Sequence, residues 1–467
     1  MSDFLFSEFK EVSAKEWKQK IQVDLKGADY NETLIWKNFE GIDVKPFYHQ
    51  DDVIDEITDI QGHPNTWNIA QEIFIDDEAI ANHLIIDATE RGAEAIVITS
   101  EQEFNLERVF ENFPFETSII YFNLKFLSEK FNIELTQFFS SKNATVFYNI
   151  DIIGNLARTG NWFYNLNQDH AILKKFINDS ANKNVISVDG SLYQNAGANM
   201  VQQIAYCLAH ANEYLNYFTS GSQSEAEVSR NVKEKSLSIT FKLAIGTNYF
   251  FEIAKIRSLR KLYALLAKEY NIATDCHIIA TPSKRNKTLY DYNVNLLRTT
   301  TENMSAILGG ANTICSLAYD SIYHKSNEFG ERIARNQMLI LKQESYFKAS
   351  DNPSKGSYYI ESLTHQLSEK ALNLFKNLEA NGGFLKQLKE GIIQRKIKES
   401  AEKEQQLFNT GELVLLGTNI HTNPDDRMKD DLELYPFIKI KNRKTLLEPI
   451  IEKRLSEKIE KDRINQE

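Results

Sequence analysis

The stretch LSITFKLAIGTNYFFEIAKIRSLRKLYALLAKEY, residues Leu237 to Tyr270, contains one complete strand and helix pair. Its alternating and β-branched residues up to Ile245 predict a buried strand. After Gly246, apolar residues recur at helical spacing. Thr247 or Asn248 is the predicted N-cap, because a short polar side chain can accept hydrogen bonds from the free amides of a first helical turn. The stretch therefore predicts a buried strand that leads into a long amphipathic helix.

The same unit recurs between residues 92 and 345 and defines the fold class. Strands alternating with helices predict a parallel sheet with right-handed crossovers. An eighth strand near residues 345 to 360 would close an α/β (β/α)8 TIM barrel. The seven predicted strands are Ala95 to Thr99, Ser118 to Leu124, Ala144 to Ile150, Val185 to Val188, Leu237 to Ile245, His277 to Ala280 and Thr313 to Leu317.

The predicted barrel, residues 76–360, has an extension on each side. Residues 1–75 predict a helical and hairpin arm, in which Ser13 and Glu16 form a capping box and residues 33–48 form the hairpin. The arm helix has no strand to cover, so it packs either on a partner chain or on its own barrel. Residues 361–467 predict C-terminal helices followed by a charged tail. The tail is either a solvated helix or a frayed end. Residues 220–235 are polar and predict a loop.

Composition excludes several classes of function. The net charge of −11 argues against nucleic-acid binding, which needs clustered Lys and Arg. Cys207, Cys276 and Cys315 are far apart and predict buried free thiols in a reducing compartment. No apolar run is long enough to span a membrane and no signal pattern opens the chain, so we expect a cytoplasmic location.

Motifs for chemistry are few. The phosphate-binding glycine patterns, the histidine spacings of metal sites and the Gly-x-Ser-x-Gly elbow do not occur in the sequence. A barrel enzyme places its acids and bases at the C-terminal ends of the strands. Of the side chains there, Asp151, Asp189 and Asp320 are candidate acid/base groups, but each is also a candidate helix cap or turn former. The strand ends carry Ser100, Lys125, Asp151, Asp189, Gly246, Thr281 and Tyr319-Asp320.

Six long segments carry a family resemblance: EFKEVSAKEWKQKIQVDLKGADY at 8–30, NAGANMVQQIAYCLAHANEYL at 195–215, AIGTNYFFEIAKIRSLRKLYALL at 244–266, LLRTTTENMSAILGGANTI at 296–314, FGERIARNQMLIL at 329–341 and DNPSKGSYYIESLT at 351–364. They resemble the small subunits of the adenosylcobalamin-dependent methylmalonyl-CoA mutase family. The resemblance implies a barrel whose axis holds coenzyme A in the catalytic subunit, with the cobalamin on a separate C-terminal domain. It implies the interconversion of methylmalonyl-CoA and succinyl-CoA as the reaction.

Four positions depart from the catalytic members of that family. Ala70 and Glu72 stand where those members have the arginine and tyrosine of a Trp-Thr-Ile-Arg-Gln-Tyr-Ala-Gly motif. Ser191 and Leu192 stand in place of a tyrosine and a thioester-binding histidine. A carboxylate repels a substrate carboxylate, and leucine can neither donate a hydrogen bond nor transfer a proton. The resemblance therefore implies no catalytic, cofactor-binding or metal-binding residue in this chain.

Two further departures concern the cofactor and the sixth strand. The Asp-x-His-x-x-Gly signature of the cobalamin domain does not occur, and residues 280–286, ATPSKRN, replace a Thr-His-x-Gln-Thr-Ser-Gly run. The resemblance thus implies a noncatalytic small subunit in a heterodimer with a large subunit that carries adenosylcobalamin.

Two alternatives stay open at this stage. One is an active mutase barrel that uses a separate cobalamin-binding chain on a different acyl-CoA. The other is a module that binds a coenzyme A ester without reacting. Bulky strand residues that fill the bore would exclude the second, and the candidates are Phe122, Phe147, Tyr148 and Phe241.

Overall fold

A computed structural model describes residues 8–52, 59–180, 184–219, 237–349, 351–439 and 443–467. The predicted loop at residues 220–235 lies outside the described residues. The N-terminal arm has helices α1 (Ala14–Asp24) and α2 (Tyr30–Leu34) and an antiparallel hairpin of β1 (Trp36–Lys37) and β2 (Asp43–Val44). The capping box is confirmed, since the Ser13 hydroxyl accepts from the Glu16 amide and the Glu16 carboxylate accepts from the Ser13 amide.

Eight parallel strands form the barrel. In the sheet they follow the order β6-β5-β4-β3-β10-β9-β8-β7. A parallel bridge between Ile150 and Ile186 joins the two ends, and the amide of Tyr148 donates to the Asn184 carbonyl at 2.8 Å. The TIM-barrel prediction is confirmed. The strands are β3 (Asn68–Phe74), β4 (Ala95–Ser100), β5 (Ile119–Leu124), β6 (Thr145–Phe147), β7 (Ile186–Asp189), β8 (Ile239–Ile245), β9 (His277–Pro282) and β10 (Thr313–Cys315).

Helices follow every barrel strand and bury its outer face. Their apolar side pairs with the outward-facing Ile, Val, Leu and Phe residues of the strands to form one large core. The helices are α3 (Glu78–Glu90), α4 (Leu106–Val109), α5 (Glu129–Ser140), α6 (Ile152–Thr159), α7 (Leu166–Asp179), α8 (Ser191–Ala196), α9 (Met200–Thr219), α10 (Tyr249–Glu269), α11 (Val294–Gly309) and α12 (Glu328–Gln343).

The expected position of the eighth strand is wrong. The strand near residues 345 to 360 does not exist among the described residues there. The eighth strand is instead β3, which lies inside the range assigned to the arm. Its polar residues concealed it, because Gln71 points outward and accepts a hydrogen bond from Arg335 on α12. Because Arg335, which is distant in the sequence, supplies this hydrogen bond, the polar side chain of Gln71 can be buried on a parallel strand.

The stretch from Leu237 to Tyr270 forms β8 and α10, as predicted. Asn248 is the N-cap residue of α10, although its side chain makes no capping hydrogen bond. The helix is buried on both sides because α13 (Tyr358–Ala380) covers its outer face. On that face Arg257 donates to Glu361 at 2.6 Å, and the Ser258 hydroxyl donates to the Thr364 carbonyl at 2.9 Å.

The C-terminal extension is more ordered than predicted. Asn381 and Gly382 separate α13 from α14 (Gly383–Lys389), and Gly391, at φ +73°, precedes α15 (Ile392–Thr410). Of the two alternatives predicted for the last segment, a solvated helix or a frayed tail, the structure has a helix, of which only Glu457 and Glu460 are buried. This helix is α16 (Glu457–Ile464), whose Glu460 is fully buried and 2.6 Å from Arg454.

Two expectations from composition can be compared with the structure. Cys207, Cys276 and Cys315 are buried and unpaired, as predicted. Among the described residues, no helix is both long enough and apolar enough to cross a bilayer.

Candidate functional site

The C-terminal ends of the strands bring only some of the predicted site residues together. Lys125 and Asp189 belong to one polar network at the barrel mouth. Asp151 lies behind it, and its carboxylate caps α6 at the Gly154 amide. Asp320 accepts hydrogen bonds from Asn327 within its own loop, and Ser100 donates to the Gln102 carbonyl. The cap and turn alternatives are therefore confirmed for Asp151 and Asp320.

The network centres on Asn123, an inward-facing residue of β5. Its side-chain oxygen accepts hydrogen bonds from Lys125 and from Lys242 on β8, each at 3.0 Å. Lys242 also lies 3.4 Å from Asp189, which Arg158 contacts at 2.8 Å. Three cationic side chains thus converge on Asp189 and the neutral Asn123 amide, and Arg158 also pairs with Glu452 at 2.8 Å.

The charges of the network change the proton affinities of its members. Desolvation by the surrounding mouth, with the neighbouring Lys242 and Arg158, lowers the pKa of Lys125 to about 8, although part of the side chain is exposed to solvent. Burial alone would raise the pKa of Asp189, but Lys242 and Arg158 hold it well below the usual range. Asp189 is therefore ionised at neutral pH, while a fraction of Lys125 is neutral.

A second polar cluster lies behind the mouth and is closed to solvent. His210, which is fully buried, is 3.0 Å from Asp151 through Nε2 and 2.9 Å from the Tyr193 hydroxyl through Nδ1. Tyr214 donates to Asp151 at 2.7 Å, and Asp151 accepts from the Asp189 amide at 2.8 Å. The cluster ties the loop after β6 to the loop after β7, so its role in this structure is to hold the mouth in shape.

Side chains fill the N-terminal half of the bore. The Tyr121 hydroxyl lies 2.8 Å from His277 Nε2 and 2.7 Å from the Thr313 hydroxyl. Phe147 stacks on Tyr121 with ring centroids 4.7 Å apart and contacts the His277 ring at 4.1 Å. Burial and the Arg260 charge lower the pKa of His277 to about 3, so this imidazole is neutral.

The four aromatic residues considered for the bore divide between two sides of the sheet. Phe147 packs with Tyr121, Val97 and other inward-facing residues in a separate small cluster. The other three belong to the main core outside the barrel: Phe122, Tyr148 and Phe241.

The four positions that depart from the catalytic pattern lie at the bore and the mouth. Ala70 is buried in the bore cluster. Glu72 is exposed at the end of β3 and accepts a hydrogen bond from the Thr99 hydroxyl at 2.5 Å. Ser191 donates to Asp189, whereas the Leu192 side chain is fully buried in the main core. No proton donor or acceptor is presented by Ala70 or Leu192.

The C-terminal segment crosses one side of the mouth. The amide of Ile450 donates to the Ala157 carbonyl at 2.8 Å, and that of Lys453 donates to Asn195 at 3.0 Å. Further along, the amide of Leu455 donates to the Arg285 carbonyl at 2.9 Å. These contacts join the segment to helix α6, helix α8 and the loop after β9.

Sequence reasoning missed Asn123, Arg158 and Lys242. Lys242 carried a usable signal, since it is the only charged residue within the predicted strand SITFKLAI. Its position predicts an inward-facing cation. Arg158 and Asn123 carried none, because only closure of the barrel brings them beside Asp189 and Lys125.

Comparison with known proteins identifies the family. A sequence model described as methylmalonyl-CoA mutase matches residues 122–462. The methylmalonyl-CoA mutase small subunit of Porphyromonas gingivalis is 33% identical over 463 residues, which cover 92% of this chain and 73% of that subunit. The chain belongs to the methylmalonyl-CoA mutase family. The likeness to small subunits inferred from the motifs is confirmed.

Two further comparisons are weaker. The methylmalonyl-CoA mutase large subunit of the same organism is 32% identical over 258 residues, which cover 54% of this chain and 35% of the large subunit. Among solved structures, the L-Ala-D/L-Glu epimerase from Bacillus subtilis is 10% identical over 56% of each chain, with a TM-score of 0.30. That structural likeness is too low to carry an argument.

The Asp-x-His-x-x-Gly signature of a cobalamin domain does not occur in the sequence, so the residues of this chain do not match the group that holds the cobalamin of a methylmalonyl-CoA mutase.

Proposed function

We propose that this chain is a noncatalytic small subunit of a methylmalonyl-CoA mutase and forms a heterodimer with a large subunit that carries adenosylcobalamin. The observation that carries the proposal is the filled bore. Tyr121 and Phe147 occupy the axis, and their ring stacking with His277 leaves no straight path for a threaded pantetheine chain. A barrel closed in this way cannot hold a coenzyme A ester along its axis.

The changed positions support the same conclusion. Glu72 places a carboxylate at the mouth, where it opposes a substrate carboxylate. Leu192 is turned into the core and supplies no hydrogen bond to a thioester. The polar side chains described in the bore, Tyr121, His277 and Thr313, bond to one another.

Helix α1 is the proposed contact with the large subunit. The described residues include none on α1 that is buried, and Trp17 and Val23 on the helix and Val12 just before it are 50%, 72% and 54% exposed. Large apolar side chains exposed together on a short helix are typical of a protein interface. We expect the complete heterodimer interface to bury more than about 2,000 Å², as obligate pairs do.

The hairpin belongs to the chain's own barrel instead. Its Ile42 is 1% exposed and joins the main core, and Trp36 packs edge-on against Phe251 of α10. We therefore propose that α1 makes the contact with the large subunit without the hairpin.

Turnover assays test the proposed role. Mutase activity with adenosylcobalamin and methylmalonyl-CoA is measured for this chain alone, for the large subunit alone, and for an equimolar mixture after gel filtration. We expect no turnover from this chain alone, and co-elution with higher or longer-lived activity in the mixture, because binding stabilises a folded partner by mass action. Turnover by this chain with a separate cobalamin-binding protein would favour the alternative of an active barrel.

Substitutions on α1 test the proposed interface. Trp17→Ala with Val23→Lys should abolish co-elution with the large subunit while leaving the fold intact, since neither side chain is buried. Gln19→Ala on the same helix is the matched control and should co-elute normally. Retained co-elution of the double variant would place the interface elsewhere.

The cytoplasm is the proposed location of the complex. It is the compartment in which three buried, unpaired cysteines persist as thiols.

A further inference from the structure

The mouth of the barrel remains a bowl that is open to solvent, although the bore below it is closed. Lys125 and Glu72 face the barrel axis at the ends of β5 and β3, yet both are exposed. Phe74, also at the end of β3, is 49% exposed. The floor is the bonded layer of Tyr121 and Thr313. A molecule small enough to sit above that layer can therefore enter from the C-terminal side alone.

The cations of the bowl differ in their ion-pair partners. Lys125 and Lys242 both donate to the single oxygen of Asn123, which bears no charge. Asp189 lies 2.8 Å from Arg158 and 3.4 Å from Lys242, and Arg158 also pairs with Glu452 at 2.8 Å. Within the described residues, no carboxylate lies in ion-pair contact with Lys125. Two ammonium groups that share one neutral acceptor leave room for an anion between them.

We propose that the bowl binds a small oxyanion, a phosphate or a compact dicarboxylate, between Lys125 and Lys242. The ammonium groups of these residues donate hydrogen bonds to it, and the Asn123 amide group turns away from them to allow this. The depressed pKa of Lys125 agrees with a cation that lacks its counter-ion. The site is separate from the axial path of a coenzyme A ester, because that path is filled.

A substitution at Glu72 provides a specific test of the proposal. Its carboxylate is exposed in the same bowl and already accepts from Thr99, so it opposes an anion without contacting Lys125. Glu72→Gln keeps a hydrogen-bond acceptor for Thr99 and removes the charge. We therefore expect this variant to bind the anion more tightly than the wild type.

Calorimetric titration of the full chain tests the site. Inorganic phosphate and oxalate are titrated separately at an ionic strength held constant with sodium chloride, which distinguishes phosphate from carboxylate ligands. Binding should weaken at least tenfold in Lys125→Gln and in Lys242→Gln and should strengthen severalfold in Glu72→Gln. Lys130→Gln on α5, which removes an equal charge from a side chain 75% exposed, should bind as the wild type does.

A second measurement uses chemical protection. Acetylation of Lys125 in the folded protein, measured by mass spectrometry, should slow when the preferred anion is present. Lys130 should react at an unchanged rate. The proposal is overturned if neither anion binds at millimolar concentration. It is also overturned if both lysine variants bind as tightly as the wild type, because the anion then lies elsewhere.

Discussion

Glu40, in the turn of the N-terminal hairpin, accepts a hydrogen bond at 2.7 Å from the amide of Met200, the first residue of α9. The Val201 amide lies 3.4 Å from the same oxygen. A side chain 160 positions away therefore caps a long helix that packs on the barrel. The contact fixes the hairpin to its own chain and separates its role from that of α1.

Glu40→Gln should flatten the dependence of stability on pH. Burial raises the pKa of Glu40 to about 8. The folded state therefore retains a proton that the unfolded state releases, and wild-type stability falls as pH rises from about 5 to about 8, by about 1.4 kcal/mol per pH unit from this group alone. Urea unfolding at several pH values should show that the free energy of unfolding of the variant, relative to that of the wild type, rises by up to about 4 kcal/mol across that range.

The comparison between the Glu40 variant and the wild type isolates one group among several. Glu331, whose pKa burial raises to about 7, contributes equally to both proteins and cancels in the difference. Glu32→Gln, an exposed carboxylate on α2, should leave the pH profile unchanged. Parallel profiles for Glu40→Gln and the wild type would mean that Glu40 is not desolvated.

Tyr121→Phe should weaken the layer that closes the bore. It removes the hydroxyl between His277 and Thr313 and leaves their polar atoms unpaired in a buried site. The free energy of unfolding should fall by about 1 to 3 kcal/mol. Tyr435→Phe, on a side chain 51% exposed, is the control and should change it by less than about 0.5 kcal/mol. Equal free energies of unfolding for Tyr121→Phe and Tyr435→Phe would mean that the hydrogen bonds of Tyr121 with His277 and Thr313 do not stabilise the fold.

The fold was predictable where local pattern determines it. The stretch from Leu237 to Tyr270 forms a strand and a helix because its apolar spacing changes from alternation to helical periodicity at Gly246. The pattern failed at β3, where Gln71 relies on Arg335 for its hydrogen bond. Tertiary partners of this kind leave no local signal.

The site was less predictable than the fold for two physical reasons. Phe147 and Tyr148 are adjacent aromatic residues on opposite faces of a short strand, and their sequence does not show which one faces the bore. The convergence of Lys125, Lys242 and Arg158 depends on closure of the barrel. Strand ends could be assigned from the sequence, but the distances between them could not.

Lys242→Met should raise the pKa of Lys125. Burial is the main cause of the lowered pKa, and of the two cations that add to it Lys242 has the larger effect. Removing that charge should make Lys125 a weaker nucleophile at pH 8, so its acetylation rate should fall severalfold. Lys130, which ion-pairs with Glu134 on α5, provides an internal reference in the same peptide map. An unchanged rate at Lys125 would show that the two lysines are not electrostatically coupled.

Glu460→Gln should release the C-terminal segment from the mouth. The side chains of Arg454 and Glu460 are 6% and 1% exposed and lie 2.6 Å apart, so the substitution leaves a buried guanidinium without its counter-ion. Such a change costs about 3 to 5 kcal/mol. The cost should appear first as faster proteolysis near Arg454, while the Gln side chain continues to accept from the Leu289 amide. Lys458→Gln, exposed on the same helix, should be cleaved at the wild-type rate. If Glu460→Gln resists proteolysis equally, contacts such as that of Ile450 with Ala157 suffice to hold the segment.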